Sequence, residues 1–250
     1  MNFVNDLSSK ELDDFRDIKL KKPHLRNLFF IESLKVYLKA LDSEVKIIKT
    51  ITTKDCYKEN KNIFSTGQVI TTTNELLNSL IQFKSHTKVF AIAEIPSENI
   101  NFEKDIIFFN NITSPENVGA ITRSALAFNF NQIIYDSGSL TPWNRRSVRV
   151  STGNIFKFNT ARVRSTLSFF NQCKEKGYEI ISMANNPKAI DIKSLSVGGK
   201  KVIVLGSEGH GISEEILKIS TKVVKIPVNH YVEHLNVGHA AAIAFYQFSK

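Results

Sequence analysis

Apolar positions change their spacing several times along the chain, and each change marks an element. Between Lys10 and Leu41, the residues Leu25, Leu28, Phe29, Leu34, Tyr37, Leu38 and Leu41 recur at helix-like intervals, which predicts a helical N-terminal stretch. Val45 to Ile51 and Gln68 to Thr71 are short β-branched runs and read as strands. Asn74 to Phe83 reads as a helix with Asn74 as candidate N-cap, and Lys88 to Ile95 as a buried strand. Pro96 breaks that strand and a polar stretch follows it. This sets an N-terminal domain over 1–97, a linker over 98–105 and a C-terminal domain over 106–250.

Past the boundary the pattern alternates. Strands are expected at Ile106–Phe109, Gln132–Tyr135, Ile155–Phe158, Tyr178–Ser182, Lys201–Leu205 and Val223–Ile226. Helices are expected at Val118–Phe128, Ser165–Lys176, Glu214–Ile219 and Val237–Phe248. Such alternation predicts an α/β domain with a mainly parallel sheet, and sheets of that kind bind ligands beyond the C-terminal ends of their strands.

Composition narrows the class. The chain is 42% hydrophobic and 23% charged, as an ordinary globular protein is. It has no apolar run near the roughly 20 residues needed to span a bilayer. Its N-terminus, MNFVNDLSSKELDDF, lacks the basic start and apolar core of a signal peptide. Cys56 and Cys173 form no CxxC pair. The expectation is a reduced, cytoplasmic protein with no membrane association. The net charge of +9 is uneven, with +2 over residues 1–100 and +7 over 101–250. A basic half favours an anionic partner, nucleic acid foremost.

Three segments carry candidate chemistry. GSEGHG (Gly206 to Gly211) lets the backbone wrap a ligand closely, yet it has neither the Lys-Ser/Thr ending of a phosphate-binding loop nor the spacing of a dinucleotide fingerprint. PENVGAITRSALAF opens a helix at Pro115 and Asn117 that carries Arg123. IPVNHYVEHLNVGHA contains His230, Glu233 and His234 in the order of an inverted zinc-protease motif. Pro227 and Asn229 argue for a loop there, and beyond His239 no further Asp, Glu, His or Cys remains to complete a zinc site. No metal is expected. A fourth segment, WNRRSVRVSTGN, sets Arg145, Arg146 and Arg149 beside Trp143; on a helix Arg145 and Arg149 share a face and suit phosphate contacts. A solvated basic helix is the plain alternative.

Together the first three segments resemble the signature motifs of the SpoU/TrmH family of RNA ribose 2′-O-methyltransferases, in the SPOUT superfamily. Asn111, Pro115, Asn117, Gly119 and Arg123 match the first motif; Gly206, Glu208, Gly209 and Gly211 the second; Ile226, Pro227, Leu235, Asn236, Val237 and Ala240 the third. Four positions depart from the pattern: Ser114 for Asp, Asn129 for Gly, His234 for Ser and Gly238 for Ser. The resemblance implies a trefoil-knotted fold with helices on both faces of the sheet, S-adenosylmethionine as cofactor, and a homodimer through the C-terminal helix and knot region. It implies Arg123, Glu208 and Asn236 as catalytic residues, with Arg123 steadied by a bidentate pair to Glu208. Leu205, Gly206, Gly209, Ile226, Pro227, Leu235 and Asn236 are implied to hold the cofactor. Asn117 joins Arg145, Arg146 and Arg149 on the RNA side. The N-terminal part more weakly resembles the small α/β, ribosomal-protein-like RNA-binding domain of rRNA-modifying relatives, which favours rRNA over tRNA. His234 and Ser114 keep open an alternative, a knotted RNA-binding or ribosome-assembly protein without catalysis.

Overall fold

The computed structural model describes residues 2–16, 27–81, 87–186 and 188–249. The chain divides into two compact units. One comprises Met1–Pro96 with Trp143–Phe156, the other Ser97–Pro142 with Lys157–Lys250.

The first unit runs β1 (Asn2–Phe3), a 3-10 turn at Lys10–Phe15, β2 (Leu28–Glu32), α1 (Leu34–Leu41), β3 (Ile47–Thr53), α2 (Lys54–Glu59), β4 (Gln68–Thr72), α3 (Asn74–Ile81) and β5 (Val89–Glu94). Its mixed sheet has the order β1-β4-β3-β5-β2. The long helix expected from Lys10 to Leu41 is not one element, and Leu25 lies outside the described residues. Leu28 to Glu32 is instead a strand paired antiparallel with β5, Phe29 opposite Ala93 and Ile31 opposite Ala91. A continuous apolar run buried on both faces satisfies helical spacing by accident. Ser33, at φ 88°, turns the chain, and its hydroxyl accepts from Val36 N at 3.4 Å to start α1. The cap of α3 is also one residue earlier than expected: Thr73, not Asn74, accepts from Leu76 N at 3.2 Å. Phe83, the expected end of that helix, lies outside the described residues.

The second unit opens with β6 (Ile106–Asn110), α4 (Pro115–Ala127) and β7 (Gln132–Tyr135). The chain then joins the first unit, where it forms α5 (Arg145–Val150), and returns as β8 (Asn159–Arg162), α6 (Thr166–Glu175), β9 (Glu179–Met183), β10 (Ile190–Asp191), β11 (Lys201–Gly206), α7 (Glu214–Ile219), β12 (Lys222–Lys225) and α8 (Val237–Phe248). The sheet order is β10-β12-β9-β11-β6-β7-β8 and every pairing is parallel. One face packs Phe108, Ile134, Val202 and Val204 against Phe169 and Phe170 of α6 and Ile216 of α7. The other is covered by α4 and α8, with the Phe130 and Phe245 rings 5.1 Å apart.

The excursion corrects the domain boundary drawn at 106–250. Trp143 and Phe156 pack at a tilt against Phe29 of β2, with ring centroids at 4.9 and 5.7 Å, so the segment between them completes the apolar face of an edge strand. The strand expected at Ile155–Phe158 is a 3-10 turn at Asn154–Lys157, and pairing with β7 begins only at Asn159. Both cysteines are free and buried. Burial pushes the Cys173 thiol up to about 12, so it offers no thiolate.

Lys201 enters the sheet fully buried, and its Nζ lies 2.9 Å from Asp105 Oδ2 while its backbone N–H donates to Asp105 Oδ1 at 3.0 Å. Removing the carboxylate strands a buried ammonium. Asp105→Ala should destabilise the protein by about 3 kcal/mol in urea unfolding, within the range for breaking a buried pair. A loss below about 1 kcal/mol would show that water reaches Lys201.

Candidate active site

A cavity of about 460 Å³ opens beyond the C-terminal ends of β9, β11 and β12. This is the sheet end at which parallel α/β folds place ligands. Leu205, Gly206, Gly209, Ile226 and Leu235, all expected to hold a cofactor, line it. Pro227 shares the loop but does not line the wall, whereas its neighbours Ile226 and Val228 do. The end of β9 and the loop after it, Met183 to Asn186, also line the cavity and were not anticipated. The sequence Asn-Asn-Pro soon after a predicted strand was the signal for it.

The glycine segment is a tight turn. Ser207 N donates to Gly211 O at 3.1 Å and Gly211 N to Ser207 O at 2.9 Å, and Gly211 sits at φ 66°. A side chain on Gly206 would fall 2.4 Å from Gly211 C and 2.6 Å from Ile212 N, so only glycine lets the turn fold back. Gly209 has no such neighbour, and its value there is an open approach.

The turn presents Glu208 to Asn236, whose Nδ2 donates to Glu208 Oε1 and, at 3.0 Å, to Asn117 Oδ1. Asn236 is the N-cap of α8, its Oδ1 accepting from Gly238 N at 2.8 Å. One residue from each of the three motifs thus meets at a single amide. Asn117, assigned above to the RNA side, belongs to this cluster.

Arg123 does not pair with Glu208. It is exposed on α4, with no ion pair or hydrogen bond among the described residues, and Asn236 holds the Glu208 carboxylate instead. Six residues along a helix turn about 240° past full circle, which points Arg123 away from the face that carries Asn117. Arg145 and Arg149 also turn out to be engaged. They lie 3.9 and 3.5 Å from the Glu32 carboxylate, itself only 3% exposed, and burial lowers the Arg145 pKa from its ordinary value while Glu32 opposes the shift. Their shared helical face is explained by this ion cluster.

The four departures from the motif pattern acquire physical readings. Ser114 caps α4 by accepting from Asn117 N at 3.4 Å, as an Asp there would. Asn129 takes φ 64°, a conformation that asparagine tolerates better than most residues. Gly238 sits where a side chain would come within 3.2 Å of Ala120 Cβ. His234 lies in a loop with its Nε2 at 3.3 Å from Glu208 O, bridging the second and third motifs.

The SpoU rRNA methylase family model matches residues 104–246. The chain belongs to this family. A Mycobacterium bovis protein described as a tRNA/rRNA methyltransferase is 26% identical over 98% of this chain and 90% of its own. The 23S rRNA (guanosine(2553)-2′-O)-methyltransferase RlmP of Bacillus subtilis is 22% identical over 98% of both. An S-adenosylmethionine-bound rRNA methyltransferase from Sinorhizobium meliloti has the same fold, with a TM-score of 0.86, 21% identity and coverage of 98% and 96%. The expected SPOUT fold, S-adenosylmethionine as cofactor and methyl transfer to RNA hold for this SpoU protein.

The cavity fits that cofactor. Leu205, Ile212, Val224 and Leu235 give an apolar wall for an adenine, while Glu208, Glu214 and Glu233 set carboxylates in the wall of a site for a cationic ligand. Gly206→Ala should therefore cost at least tenfold in cofactor affinity by calorimetry, because the added methyl displaces the turn itself. Unchanged affinity in the folded variant would show that the turn does not shape the pocket.

Proposed function

We propose that this protein methylates a ribose 2′-hydroxyl of rRNA, with the three-motif cluster at the cavity as its active centre. The observation that carries the reading is the meeting of Asn117, Glu208 and Asn236 at the rim of a pocket of cofactor size. Support for rRNA comes from RlmP, whose similarity runs through both units of the chain.

S-adenosylmethionine, when bound, supplies an electrophilic methyl group. Leu205, Gly206, Ile226 and Leu235 hold its adenosine end through apolar contact and backbone groups. Asn236, fixed by Glu208 and Asn117, orients the ribose. Arg123, exposed on α4 away from the Asn117 face, serves as an anchor for the phosphate beside the reacting ribose, where its positive charge favours the developing alkoxide electrostatically. Its lack of an internal partner among the described residues leaves it available to RNA.

The first unit contributes the choice of RNA. Arg146 and Arg149 keep exposed surface for phosphates, whereas Arg145 is committed to Glu32. A homodimer forms through the outer face of α8. Phe245 and Phe248 of that helix are core residues, and Ile243 and Tyr246 are its exposed apolar pair. The compartment is the cytoplasm; no helix among the described residues is long and apolar enough to cross a membrane. The assembled cluster favours catalysis over a purely RNA-binding role.

Mapping 2′-O-methyl groups on rRNA treated with the protein and labelled cofactor tests the activity. Arg123→Ala should lower turnover on the order of 100-fold, equivalent to about 3 kcal/mol of lost transition-state stabilisation, while cofactor binding by calorimetry is spared. Turnover at the wild-type rate would remove Arg123 from the mechanism, and no methylation of rRNA by the wild type would overturn the function.

A further inference from the structure

Immediately after β7, a buried carboxylate outside the cavity wall links two of the loops that build the site. Asp136 is 7% exposed. It accepts from Asn110 Nδ2 at 2.8 Å, from Ser139 Oγ at 2.7 Å, and from the backbone N–H of Asn111 at 3.1 and 3.2 Å to its two oxygens. Each of these donors leads to a motif.

Asn110 ends β6, and its Oδ1 accepts from Ser213 N at 2.8 Å. Ser213 follows Ile212, a wall residue, and lies two residues beyond Gly211, where the glycine turn that carries Glu208 ends. Asn111 sits at φ 57° and opens the loop into α4, which carries Asn117. Ser139 Oγ accepts from Ile112 N at 3.0 Å, one residue further along that loop. Gly138 lets the Asp136 loop close over Asn111, since a side chain there would lie 1.8 Å from Asn111 Oδ1. Asp136 therefore holds the first motif directly and the second through Asn110.

We propose that Asp136 is a positioning residue for the methyl-transfer site. It sets the distance between the loop that leads to Asn117 and the turn that carries Glu208, so that both reach Asn236. Desolvating a carboxylate is costly, and packing alone would be served as well by an apolar side chain. A carboxylate suits this position because it alone accepts from an amide, a hydroxyl and a backbone N–H at once while offering no donor to oppose them.

The inference rests on the methyltransferase reading for its activity readout, and the test uses the full chain. Asn110→Asp sets carboxylate against carboxylate where a 2.8 Å hydrogen bond stood. Asn110→Asp combined with Asp136→Asn restores one donor and one acceptor in reversed order, with the carboxylate introduced at position 110 still able to accept from Ser213 N. The expected result is that Asn110→Asp binds S-adenosylmethionine at least tenfold more weakly and loses turnover on RNA at a temperature where it is folded, and that the double variant recovers both to within about threefold. Ser139→Ala, which removes the hydroxyl from the Asp136 loop, should weaken cofactor binding about threefold with little change in melting temperature, and it decides the matter if Asn110→Asp does not fold. Asn110→Asp that melts lower but keeps cofactor affinity and turnover within about twofold, a folded double variant with no recovery, or a Ser139→Ala protein with unchanged affinity would each overturn the proposal. A wild type that neither binds the cofactor nor methylates RNA would instead overturn the reading of function.

Discussion

The seating of α8 on α4 is the contact on which the site depends. Gly238 has no side chain to hold the helices apart, and Ala120 lies directly opposite; a Cβ at Gly238 would come within 3.0 Å of Asn236 Oδ1 as well. The close approach continues through buried Ala241, Ala244 and Phe245. Because the first turn of α8 is fixed against α4, its N-cap is brought to the start of that helix. Asn236 then uses its carbonyl for the cap and has its amide free to join Asn117 with Glu208. A helix-packing distance, set by small residues, becomes the geometry of a polar cluster drawn from three separated stretches of chain.

Much of the second unit was legible in the sequence because its signals are local. Parallel strands buried on both faces read as continuous apolar runs, as at Ile106–Asn110 and Lys201–Gly206, and the turns at their ends announced themselves through Gly, Pro and Asn. The cavity residues Leu205, Gly206 and Leu235 came from the resemblance of those turns to the SpoU motifs. What escaped was decided at long range. Leu28 to Glu32 is a strand because β5 lies beside it, and its helical spacing carries no trace of that partner. Trp143 and Arg145 looked like nucleic-acid contacts because Phe29 and Glu32, more than a hundred residues earlier, were not visible as their neighbours. The proposed Arg123–Glu208 pair failed for a different reason: the motif names both residues, but helical phase turns one of them away. Asp136 belongs to no motif, and its role follows only from the hydrogen bonds that end on it.

The two units are also joined by more chain crossings than a two-domain protein with one linker. The polypeptide passes between them at Pro96–Ser97, at Pro142–Trp143 and at Phe156–Lys157. The first unit is therefore not a cassette. Cutting the chain after residue 96 leaves Trp143, Val148 and Phe156 attached to the catalytic half as an apolar tag without its host strand, and grafting a foreign RNA-recognition unit in its place requires a matching β2 surface. Exchange between relatives is constrained in the same way: residues 143–156 must travel with the N-terminal unit they complete, although the chain encodes them in the middle of the enzyme.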